Sequence, residues 1–95
     1  MLAIELIEKF KFVKISDKVF RLGTADEPMS YIDLSKAVAV LEVKLDKRLA
    51  KLLIEKYESV MPSNKLDSKE GWVSIVLSGQ LSDQEVTDLL VSTTL

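Results

Sequence analysis

Between Ala37 and Val60 the apolar residues change spacing in mid-course, from every second position to every third or fourth. Strand side chains alternate between faces, whereas a helix repeats about every 3.6 residues, so this one segment must hold both. Ala39, Leu41, Val43 and Leu45 share one face of a strand, with Glu42 and Lys44 on the other. Asp46 then offers a carboxylate to the unpaired N–H groups that open a helix. In that helix Leu49, Leu52, Leu53 and Tyr57 form the buried stripe, while Lys47, Arg48, Lys51, Glu55 and Glu58 face water. The chain must therefore build a sheet and pack helices on it.

The flanks supply the remaining elements. Residues 2–9 carry Leu2, Ala3, Leu6 and Ile7 at helical spacing. A helix under about 12 residues is marginal alone, so it must dock. "KFVKISDKVFRLG" gives two β-rich runs around Ser16-Asp17-Lys18, a hairpin turn. Residues 24–36 read as a long polar connection containing Pro28, whose centre "SYIDL" could form a short edge strand. Val60 to Pro62 is a short extended return. Asp67 caps a single turn that Gly71 ends, and Trp72 to Leu77 is the last strand. Ser82 and Glu85 form a capping box, with Leu81 and Val86 as its hydrophobic staple. Val86, Leu89 and Leu90 bury the final helix.

Composition narrows function mainly by what is missing. Ninety-five residues, 47% apolar and 29% charged, make one ordinary domain spanning 1–95. Such a domain buries only about 60 to 65% of its unfolded surface, leaving little room for a deep catalytic pocket. There is no histidine and no cysteine. Those absences remove the commonest general base, the commonest metal ligand and all thiolate chemistry. The acids do not cluster as a calcium loop requires, and no phosphate-loop, dinucleotide or nucleophile-elbow pattern occurs among the three glycines. A non-enzymatic protein with no cofactor, no metal and no small-molecule substrate is expected. No apolar run approaches the ~20 residues of a membrane span, and Glu5 and Glu8 interrupt the apolar start. The chain reads as soluble and cytoplasmic.

The formal net charge is −2, but its distribution is uneven. All thirteen bases lie at or before Lys69. From Lys9 to Arg21 there are five of them, Lys9, Lys11, Lys14, Lys18 and Arg21, against one acid, Asp17. A hairpin so charged can lie along nucleic-acid phosphates. Its lysines can equally be solvated charges that keep an edge strand from pairing with other chains. Tryptophan and tyrosine carry a similar double meaning. Trp72 opens its strand, where an indole most often anchors the sheet rim, yet aromatics are also enriched at partner contacts. Phe12, Tyr31 and Trp72 are the candidate contacts for a protein partner, or for a second copy of the chain.

One longer pattern resembles a known family. "VMPSNKLDSKEGWVSIVLSGQLSDQEVTDLL" places a proline after the central helix (Pro62), then Leu66, Asp67 and Lys69 in a short polar turn. Trp72 opens a strand, Leu77 and Gly79 close it, and Asp83 leads the last helix. These intervals resemble the MmcQ/YjbR-like family of small bacterial proteins, as do "KISDKVFRL" and the strand-to-helix run before Val60. Gly71 stands where the family commonly has histidine, Asp67 where asparagine is usual, and Thr93-Thr94 where a Ser-Tyr pair is common. The resemblance implies an α+β fold in two layers, an antiparallel sheet with helices on one face, ordered roughly α-β(3)-α-β(2)-α. It also implies double-stranded DNA binding through a "double wing" of hairpins. Lys11, Lys14, Lys18 and Arg21 would make one wing, and Lys65 and Lys69 the other. A protein-interaction module with no nucleic-acid role is the competing expectation.

Overall fold

Asp46 marks the point where strand becomes helix. Its Oδ1 accepts from the amides of Arg48 at 3.0 Å and Leu49 at 3.4 Å. The computed structural model describes residues 2–94. In chain order these form α1 (Leu2–Phe10), β1 (Val13–Lys14), β2 (Val19–Gly23), β3 (Pro28–Asp33) and β4 (Val40–Lys44). Then come α2 (Lys47–Lys56), β5 (Val60–Pro62), a 3-10 turn (Ser68–Glu70), β6 (Trp72–Val76) and α3 (Asp83–Thr94). The strands make one open antiparallel sheet in the order β1-β2-β3-β4-β6-β5. This is the two-layer α+β architecture expected from the sequence, with one strand more before α2 than the α-β(3)-α-β(2)-α order holds.

The extra strand comes from the segment expected to be a polar connection. Only Thr24 to Glu27 turns; Pro28–Asp33 is β3, paired on both sides and near the centre of the sheet rather than at its edge. The turn closes locally, with the Thr24 amide donating to the Glu27 carbonyl and the Glu27 amide donating to Thr24 Oγ1. Pro28 is tolerated because it is the first residue of the strand, where a missing N–H costs least. Gly23, at φ 94°, carries the register shift. A Cβ there would meet the Glu27 carbonyl oxygen at 2.6 Å, so only glycine lets β2 fold back this tightly.

The core lies between the sheet and the helices. Ile32, Leu41, Val43, Val73 and Ile75 point from one sheet face into a cluster shared with Ala3 and Leu6 of α1, Ala50 of α2, and Val86 and Leu90 of α3. Each short helix gains its stability from this docking. In α2 the buried side centres on Ala50, with Leu49, Leu53, Ile54 and Tyr57 packed beside it. Leu52, expected in the stripe, is 62% exposed, because the helix presents the 50/53/57 side to the sheet. The capping box of α3 forms as expected: the Ser82 amide donates to Glu85 Oε1 at 3.0 Å, and the Glu85 amide to Ser82 Oγ at 3.1 Å. Leu81 and Val86 are both buried, completing the staple. The Tyr57 hydroxyl donates to Glu85 Oε2 at 3.0 Å and ties α2 to α3. Among the described residues no helix is long and apolar enough to cross a membrane.

Candidate functional site

Strand alternation leaves the other sheet face free of helices. Tyr31 and Asp33 of β3, Val40 and Glu42 of β4, and Trp72, Ser74 and Val76 of β6 lie on it, as their cross-strand pairing requires. Residues 63–71 return across this face as a strap. Its hub is Glu42, a carboxylate only 7% exposed. Ser63 Oγ donates to Glu42 Oε1 at 2.7 Å, and Ser74 Oγ lies 2.7 Å from both carboxylate oxygens. Ser63 Oγ in turn accepts from the amides of Lys65 at 3.3 Å and Leu66 at 3.0 Å. The one hydroxyl thus bends the strap and fastens it to β4. A buried carboxylate needs such donors, since leaving one unpaired costs several kcal/mol.

A second fastening lies one residue pair along. Lys65 Nζ reaches Asp33 Oδ2 at 3.2 Å, the one ion pair among the described residues. Asp33 also accepts from the Ser35 amide at 2.8 Å. Ser35 first, with the Lys65 ammonium adding to it, holds the Asp33 carboxyl below its ordinary value although burial opposes the shift. Two cavities flank the Lys65 side chain, of about 240 and 230 Å³, and both are bounded by Asp33, Glu42 and Lys65. Beneath the strap the Trp72 and Tyr31 rings are 6.0 Å apart and tilted at 40°. Trp72 is 6% exposed. The indole therefore anchors the junction of strap and sheet, on the face opposite the helical core. The hydroxyl protons of Ser63 and Ser74 are directed at Glu42, an arrangement that holds a backbone in place.

The basic candidates divide among four places. Lys11, Lys14 and Lys18 are exposed at the free edge of the sheet. Arg21 lies on the opposite sheet face from Lys14, since β1–β2 register pairs Lys14 with Phe20 and Arg21 with Val13. Arg21 is half-buried and its Nε donates to the Gly23 carbonyl at 3.2 Å. Lys65, in the strap, is held by Asp33 of the sheet, and Lys69 stands farther on, beside α2. The six do not make one surface. Of the aromatic candidates, Phe12 is 8% exposed and Trp72 is covered, so Tyr31, half-buried, is the single one with surface to offer. Alternation places Glu42 on the face opposite the core, but not its role as a hub: its partners are 21 and 32 residues away, and no spacing rule links them.

No protein-family profile and no curated protein matches this chain. Two solved structures share its fold. Protein DR2400 of Deinococcus radiodurans, described as a DUF419 domain, superposes with a TM-score of 0.78 at 19% identity, over 97% of this chain and 75% of that one. A protein from Pseudomonas syringae superposes with a TM-score of 0.69 at 20% identity, over 95% of this chain and 90% of its own. What they share with this chain is the fold.

Proposed function

We propose that this chain is a non-enzymatic domain of the MmcQ/YjbR-like kind that binds double-stranded DNA through the hairpin formed by β1 and β2. The observation that carries this reading is the state of Lys11, Lys14 and Lys18. All three are exposed at the sheet's free edge, and none has an acidic partner within ion-pair distance among the described residues. Ammonium groups left open to solvent can neutralise phosphates and release their counterions. Arg21 keeps its charge but donates its Nε–H to the Gly23 carbonyl on the opposite sheet face from Lys14, which leaves it out of the lysine surface. The non-enzymatic part rests on the inventory of side chains and on the two buried carboxylates, Asp33 and Glu42, both engaged in holding the strap.

Fluorescence anisotropy with a short labelled duplex across a salt series tests the proposal. Binding that weakens steeply with salt is expected, by about 0.9 logarithmic units per decade of salt for each phosphate neutralised. The K11A/K14A/K18A variant should lower that slope by roughly 2 to 3. An absence of binding by the unaltered protein at ~50 mM salt would end the proposal.

A further inference from the structure

The sequence of α2 opens against the rules of helix electrostatics. The positive end of a helix dipole favours acids, yet the first turn contains no acid and begins Lys47-Arg48. Lys47 and Lys51 then stand one turn apart on the same side, a like-charge pairing that destabilises a helix. Asp46 occupies the free amides at this end, so the helix terminus itself is capped and closed to an anion. Asp46 answers the helix end but neither lysine, and repelling charges with no ion-pair partner among the described residues are what a surface kept for an external ligand looks like.

The opposite wall is brought there by the 3-10 turn. The Leu45 amide donates to the Gly71 carbonyl at 3.0 Å, which clamps the turn against the start of α2. Gly71, at φ 98°, is required at that clamp, since a Cβ would run into the Leu45 carbonyl oxygen. Lys69 is thereby held across from Lys47 and Lys51. Between them runs an open groove of about 250 Å³, with Ala50 and Ile54 on the α2 side and Ser68 on the other. Glu55 is the lone acid along it, and none of the three lysines lies within ion-pair distance of a carboxylate among the described residues.

We propose that the groove between α2 and the 3-10 turn is a second phosphate-backbone contact for double-stranded DNA, formed by Lys47, Lys51 and Lys69 and separate from the hairpin. The inference rests on the DNA reading above and adds to it a surface on the far side of β4. Exposed ammonium groups along an open groove suit a polymer of phosphates, whose binding gains from counterion release at each contact. A small phosphorylated ligand would gain little there, because such ligands are held in enclosed pockets with few, fixed polar groups.

The test is the same salt series, run on the full chain carrying K47A/K51A/K69A, and separately K47E. The triple variant should lower the salt slope by about 2 to 3. K47E should weaken DNA binding while raising the melting temperature, because a first-turn acid suits the dipole and pairs with Lys51. If both variants stay folded by circular dichroism and the slope is unchanged while the hairpin variant lowers it, the groove proposal fails alone. If the unaltered protein binds no duplex at low salt, the DNA reading fails and takes the groove with it. If poly-glutamate binds as tightly as the duplex at equal salt, the assignment to DNA is overturned.

Discussion

Lys11 sits at a backbone position that glycine usually fills. It ends α1 with φ 59°, the one positive value at a non-glycine among the described residues. The Phe12 amide donates to the Ile7 carbonyl at 3.0 Å, the bond that closes a left-handed helix end. An L-residue there costs roughly 1 to 2 kcal/mol relative to glycine. Lys11→Gly should therefore raise stability by about 1 kcal/mol, or about 4 to 8 °C in melting temperature for a domain this size. Calorimetry checks the gain; a lower melting temperature would show that the lysine stem packs on something that glycine cannot replace. The same substitution removes one hairpin charge, so the proposed DNA contact requires weaker duplex binding from a more stable protein, and the two readouts move in opposite directions.

At the scale of elements, the strap is the part most exposed to conditions. It is fastened to the sheet by Ser63–Glu42 and Lys65–Asp33, polar contacts that depend on carboxylates. The Asp33 carboxyl is held below its ordinary value, so it binds a proton less readily folded than unfolded. Its contribution to stability is therefore complete above the unfolded pKa of about 3.9 and disappears as pH falls through the lower folded value. Below about pH 4 the strap should loosen, and Trp72, the only tryptophan, should report it by a red shift in fluorescence. In Asp33→Asn that component should be missing: the variant is less stable at neutral pH and loses less on acidification. A shift of the same size in both proteins would place the acid sensitivity elsewhere.

At the scale of the molecule, one core cluster joins all three helices to the sheet, so unfolding has no smaller unit at which to stop. Near neutral pH, loss of helix by far-ultraviolet circular dichroism and exposure of Trp72 by fluorescence should follow the same denaturant curve. A tryptophan transition well before the helical one would mean that the strap and the open face melt apart from the core.

Patterns confined to neighbouring residues determined much of this architecture directly. The switch of period at Asp46, the capping box at Ser82 and Glu85, the left-handed end at Gly71 and the hairpin around Asp17 all depend on contacts within a few residues, and each lies where the spacing places it. The tertiary structure decided what depends on distant partners. Leu52 rather than Ala50 turns to water because the sheet, and not the helix alone, selects which side is covered. Residues 28–33 become a central strand because β2 and β4 supply hydrogen bonds on both edges. Glu42 becomes a buried hub because folding brings Ser63 and Ser74 to it, and Lys69 joins the lysines of α2 rather than forming a second wing with Lys65. Short-range chemistry is written in adjacent letters; the price of burying a charge is settled only where the chain meets itself again.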